Sequence, residues 1–193
     1  MRAHHEREGD KVNIEILELT EETLRDAPEW KGSPFSCKYC LYWEFPEECT
    51  HPAIERKEER LEKKGQWLQQ ARETFGNCGR IAYVDGKPAA YAQYAPPRLL
   101  PCSASYPAGP PSDDAILISC LFIASPELRG LGVGRLILQS ILDDLRQRGI
   151  KAAETFARRG SEDNPSGPLE FYLRHGFRVY HDDPEFALMR LDL

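Results

Sequence analysis

The chain holds no run of about 18 apolar residues, the least a membrane-spanning helix requires. Its opening "MRAHHEREGDK" lacks the apolar core of a secretory signal. Basic charge is also short: 25 Lys and Arg stand against 31 Asp and Glu, a net charge of −6. No face reads as basic, so neither nucleic acid nor a membrane is expected as a partner. No internal repeat is present. No Gly-Lys-Ser/Thr occurs, which excludes a nucleotide P-loop. These absences point to a cytoplasmic chain, whose six cysteines are then expected as thiols or metal ligands rather than disulfides. The acidity suits a cationic small molecule or peptide amine, and equally suits solubility alone.

What is present fits one domain of 193 residues. Residues 1–10 are expected as a disordered lead-in. Residues 11–193 form the domain, with a Cys- and aromatic-rich insertion at 31–52 and a Pro-rich loop at 96–114. "VNIEILELT" (12–20) alternates like a strand, and 21–30 follows as a short helix. From Pro52 to Phe75 the apolar residues recur at helical spacing. The charged run "ERKEERLEKK" within it reads as that helix's solvated face. Two strands meet at Asp85-Gly86. "AILISCLFIAS" (115–125) is apolar enough for a strand buried on both faces. A helix to Gln147, a strand at 150–157, a helix at 166–177 capped by Ser166 with a Glu170–Arg174 pair, and two closing strands complete the order. This is an α/β chain with a mixed sheet.

Between the buried strand and its helix lies "SPELRGLGVGRLIL" (125–138). Glycine costs a helix about 1 kcal/mol against alanine, so Gly130, Gly132 and Gly134 need a reason. A helix N-terminus offers free N–H groups and a positive dipole end to anions. Glycines there let a phosphate reach the main chain, with Arg129 and Arg135 adding charge. A dinucleotide turn would want glycine where Arg135 stands, although Glu154 lies at a distance suited to a ribose-binding acid. An ordinary strand-to-helix connection is also open.

The stretch resembles the R/Q-x-x-G-x-G/A motif of the GCN5-related N-acetyltransferases, with Arg129, Gly132 and Gly134 at its fixed positions. Downstream, "FYLRHGF" (171–177) is similar to that superfamily's aromatic-Tyr-x-x-x-Gly-Phe helix. The resemblance implies a mostly antiparallel sheet with one splayed parallel strand pair. It further implies acetyl-CoA as co-substrate, with pantetheine along Leu121, Phe122 and Ile123 and pyrophosphate on the amides of Arg129, Gly130, Leu131, Gly132, Val133, Gly134 and Arg135. A primary amine, on a small molecule or a peptide, would attack the thioester directly. A sensor that binds acyl-CoA without turnover is the alternative reading, and a monomer or homodimer is expected.

Direct attack needs a base for the amine and an acid for the departing thiolate. By resemblance Tyr172 is the acid, and a core aromatic is the alternative. Glu44, Glu154, Asp113 and Asp114 are candidate bases. Related sequences carry an asparagine seven residues before the tyrosine. Here Asn164 is eight before it, which puts its positioning role in question. Cys37, Cys40, Cys49 and His51 have zinc-ligand types in an unusual spacing. A redox dithiol at Cys37 and Cys40, or thiols packed with Tyr39, Tyr42, Trp43 and Phe45, are the other readings, and those aromatics are candidates to wall the acceptor pocket. Cys120 reads as a small core residue more readily than as a nucleophile.

Overall fold

In a computed structural model of the chain, residues 2–7, 10–29, 36–49, 56–160 and 164–193 are described, with backbone only for 2–7, 10, 11 and 49. The strands are β1 (Arg2–Arg7), β2 (Asp10–Glu18), β3 (Gly79–Val84), β4 (Lys87–Ala95), β5 (Ala115–Ile123), β6 (Ala152–Arg158), β7 (Arg178–His181) and β8 (Phe186–Asp192). They form one sheet in the order β1-β2-β3-β4-β5-β6-β8-β7. Every pairing is antiparallel except β5 with β6. The helices are α1 (Glu21–Asp26), α2 (Lys57–Phe75), α3 (Val133–Gln147) and α4 (Leu169–Arg174). The expected mixed sheet is therefore present.

The lead-in expected to be disordered is corrected over Arg2–Arg7, which pairs with β2 as an edge strand. Such pairing satisfies backbone groups and needs no apolar pattern. Thr20 caps α1 as a capping box with Thr23. The start of α2 is Lys57, with Arg56 as cap, and Pro52 lies outside the described residues. Ser166 does not cap α4; Pro168 takes that position, because Gly167 at φ 76° turns the chain first. Arg174 Nε donates to the Glu170 carbonyl oxygen (3.2 Å) instead of the expected carboxylate.

The continuous apolar run of β5 is explained by burial on both faces. Ile116, Ile118 and Leu121 pack with α3 through Ile137, Leu138, Ile141 and Leu145. Leu117, Cys120 and Phe122 pack with Trp43, Trp67 and Leu68 on the other side. Each such large aliphatic or aromatic side chain contributes about 1.5–3 kcal/mol of burial free energy.

The α2 charge run is not uniformly solvated. Arg60 and Lys64 are each 1% exposed. Arg60 forks onto Glu48 (2.7 and 3.3 Å) and donates Nε to the Tyr39 carbonyl at 2.8 Å. Lys64 meets Glu44 Oε1 at 2.5 Å and the Cys40 carbonyl at 2.9 Å. The 36–49 segment folds over this helix face and brings the two carboxylates with it.

The expectation that every cysteine is a thiol or metal ligand is also corrected. Cys102 is disulfide-bonded, its partner lying outside the described side chains. Cysteine usage therefore gives no support to a cytoplasmic site. Among the described residues no helix is long and apolar enough to cross a membrane.

Candidate active site

Strands β5 and β6 pair at only three positions, Ala115↔Ala152, Ile116↔Ala153 and Leu117↔Glu154. Beyond them Thr155 Oγ1 bridges to the Ile118 carbonyl at 2.9 Å, and the strands part. Leu121 N–H points into the opening and donates to Pro165 O at 2.7 Å. Because Ala124 N–H pairs with Ala89 on β4, alternation along the strand aims Ile123 N–H into the same opening.

A cleft of about 490 Å³ begins there. Its walls include Leu121, Phe122 and Ile123 from β5 and the start of α3. Arg129, Gly130, Gly132, Val133, Gly134 and Arg135 all line it. Leu131 instead turns into the core, 7% exposed. Gly132 is the α3 cap at φ 82°, left-handed, where a β-carbon would be strained. A β-carbon there or on Gly130 would meet nothing within 4 Å, so the main chain at this helix mouth stands open.

Reading for the glycines alone missed the opposite wall: Asn164, Gly167, Pro168, Phe171, Arg174 and His175. Asn164 is there despite its shifted spacing. Its Oδ1 accepts from Ser166 N–H at 2.7 Å. His175 Nδ1–H donates to the Phe171 carbonyl at 2.7 Å, which leaves Nε2 as the outer nitrogen. In a chain of net charge −6, this cleft is lined among the described residues by Arg129, Arg135, Arg174 and His175 and by no carboxylate. Free helix amides, guanidinium groups and absent acids are what a polyphosphate needs.

The chain matches the family model described as acetyltransferase (GNAT) family over residues 38–177, most of its length. The chain belongs to the acetyltransferase (GNAT) family. Membership makes it an acyltransferase with acetyl-CoA as donor. In fold the acetyltransferase is similar to the PaiA N-acetyltransferase of Thermoplasma acidophilum in complex with coenzyme A, at 16% identity and TM-score 0.54, covering 93% of this chain and 99% of that one. It is also similar to the ribosomal-protein-alanine N-acetyltransferase of Brucella melitensis, at 18% identity and TM-score 0.55, covering 92% and 99%. No curated protein matches the acetyltransferase closely enough to add to this.

The acetyltransferase's candidate acid and bases lie in different surroundings. Tyr172 is fully buried on the α3 side of β5. Its hydroxyl donates to Ser166 O at 2.9 Å. A β-carbon on Gly167, which lines the cleft, would lie 3.3 Å from that hydroxyl. Only backbone therefore separates the phenol from the cleft. Burial raises its pKa above the ordinary tyrosine value, against an opposing hydrogen bond with Thr155.

Glu154 is committed elsewhere: Ser112 N–H (2.8 Å), Ser112 Oγ (2.7 Å) and Arg190 (2.8 Å) take both its oxygens. Asp114 is held by the same Arg190 at 2.9 and 3.0 Å. Asp113 lies in the turn before β5. Glu44 differs. Its Oε1 accepts from Lys64 and from Gln93 Nε2 (2.6 Å), whereas Oε2 is buried with no partner among the described residues. Gln93 stands opposite Cys120 across β4 and β5, one residue from Leu121.

The aromatic cluster is partly as expected. Trp43 stacks on Tyr106 (5.2 Å) and Phe156 (6.3 Å), but Tyr39 leaves it to donate to Glu29 at 2.7 Å. Burial raises the Cys40 thiol to about 11, and Cys37 and Cys120 are buried in the same apolar cluster. No group of three or more metal-ligating side chains occurs among the described residues. The Cys49 side chain and His51 of the zinc reading lie outside them.

Gly134 offers a direct check on the cleft. A β-carbon there would meet Ile123 Cδ1 at 3.3 Å and Phe171 Cε2 at 3.5 Å. Gly134→Leu is expected to weaken acetyl-CoA binding at least about tenfold, or ~1.4 kcal/mol. The measurement is the rise in Tm with added acetyl-CoA. An undiminished rise would remove Gly134 from the binding wall.

Proposed function

We propose that the acetyltransferase moves the acetyl group of acetyl-CoA to a primary amine, with Glu44 as base and Tyr172 as acid. The observation that carries this is the bare Glu44 Oε2, buried on the face of β5 opposite Tyr172. An unpaired buried carboxylate oxygen costs about 1–3 kcal/mol, more for a charged group. An amine N–H arriving there relieves that cost.

The cleft residues fit the donor: the amides opening α3 with Arg129 and Arg135 would hold its pyrophosphate. Ile123 N–H would hold its pantetheine arm, and Leu121 N–H becomes available once Pro165 O gives way. The donor supplies a thioester carbonyl open to attack. The acceptor nitrogen bonds to that carbon, and its proton passes to Glu44 Oε2. The carbon–sulfur bond breaks, and the sulfur takes the Tyr172 proton. Burial suits Tyr172 to this by keeping the phenol protonated.

Thermal shift with acetyl-CoA, followed by an amine panel read as release of free CoA thiol, tests the assignment. The expected outcome is stabilisation by acetyl-CoA and thiol release with at least one amine. Stabilisation without release across the panel would favour a sensor and overturn the transfer reading. Absence of stabilisation would overturn the cleft assignment itself.

A further inference from the structure

We infer that Lys64 makes the acceptor site electrically neutral, so that the enzyme selects amines able to enter uncharged. These are the weakly basic α-amines of peptide N-termini or amino-acid amides, in preference to the strongly basic ε-amine of lysine or the amines of polyamines. The inference rests on the transfer reading above, with Glu44 as the base.

The charges around Glu44 can be counted element by element. From α2, Lys64 contacts Oε1 at 2.5 Å with its side chain 2% exposed. Burial works against its charge, but Glu44 outweighs it, so Lys64 stays above the ordinary lysine value. From the 37–40 turn come Cys37 and Cys40, the latter raised by burial. From β5 comes Cys120, raised well above an ordinary thiol by the neighbouring Cys37 and then by burial. From β4 come Gln93 and Tyr91, whose phenol burial raises further still. Cys40, Cys120 and Tyr91 are thus neutral near pH 7. Glu48 is spent on Arg60 and Glu154 on Arg190. Among the described residues one negative charge remains at the site, and Lys64 cancels it.

A neutral, buried site gives an ammonium ion no compensation for leaving water. The acceptor is then limited by its uncharged fraction. Near pH 7 that fraction is about one in ten for an α-amine and about one in a few thousand for a lysine-type amine. The bare Oε2 takes a proton from nitrogen as the bond to carbon forms, so the amine need not arrive charged.

Initial rates with alaninamide, a short peptide with a free α-amine, Nα-acetyl-lysinamide and spermidine would test this at saturating acetyl-CoA. Near pH 7 at least one α-amine is expected to exceed both strongly basic amines in kcat/KM by about a hundredfold or more. Which α-amine arm turns over distinguishes an amino-acid amide from a peptide. Raising the pH by two units should lift the strongly basic amines by about a hundredfold and the α-amine by about tenfold at most. Lys64→Met, which leaves Glu44 uncompensated, should cut the α-amine preference at least about tenfold, while Lys64→Arg keeps it. Should Lys64→Met not fold, the wild-type pH comparison decides. A strongly basic amine equal to or faster than the α-amines near pH 7 overturns the inference and leaves the transfer reading standing. Turnover of none of them, with acetyl-CoA still bound, overturns both.

Discussion

Tyr172→Phe is expected to lower kcat by about 10²–10⁴, the usual worth of a positioned acid, while leaving acetyl-CoA binding intact. The substitution removes one oxygen from a fully buried ring, so packing against Phe177 at 5.2 Å is kept. What is lost is the proton held toward the Ser166 carbonyl, behind the bare backbone of Gly167. The stability cost is that of one unmade buried hydrogen bond, about 1–3 kcal/mol. A merely structural hydroxyl would lower Tm by this amount and leave the turnover of folded enzyme unchanged. The measurement is therefore single-turnover thiol release with acetyl-CoA prebound. A rate within about threefold of wild type, on the scale of effects expected of an acid, would take Tyr172 out of the chemistry.

Arg60→Met should cost about 3–5 kcal/mol of folding stability, because it strands the Glu48 carboxylate in the interior. The side chains of Arg60 and Glu48 are 1% and 4% exposed. That cost is a large part of the 5–15 kcal/mol available to a typical domain. Adding Glu48→Leu removes the stranded charge, and the double variant should recover most of the loss. Chemical denaturation of the three proteins measures both numbers. A single variant within about 1 kcal/mol of wild type would show the pair to be no more than an exposed one.

Much of the cleft was legible in the sequence. The uninterrupted apolar run of β5 can only be buried on two faces. Gly130 and Gly132 after it take positive φ, 83° and 82°, and leave the main chain open at the helix mouth. Phe171 and Tyr172 share a helix so short that one ring lines the cleft and the other fills the core. These are local patterns, a few residues long, and the chain's own geometry converts them directly into shape. The side chain of Leu131 turns into the core, which bears on its packing and leaves the reading of its amide as it was.

The surroundings of Glu44 were not legible, for a physical reason. Arg60 and Lys64 sit in a run that, by composition, belongs in water. Their burial depends on carboxylates 12 and 20 residues away, carried by a segment without regular periodicity. Glu44 and Glu154 looked equivalent as candidate bases. Tertiary contacts separated them by giving both Glu154 oxygens to Ser112 and Arg190 and leaving one Glu44 oxygen bare. Cys102 looked like any other thiol until the Pro-rich loop folded back. The sequence by itself determined where a phosphate could meet a helix mouth, because that is a matter of local backbone freedom. Only the tertiary structure decided which charges are buried, which are paired and which carboxylate oxygen is left without a partner among the described residues, because those outcomes depend on groups far apart in the chain meeting where water is excluded.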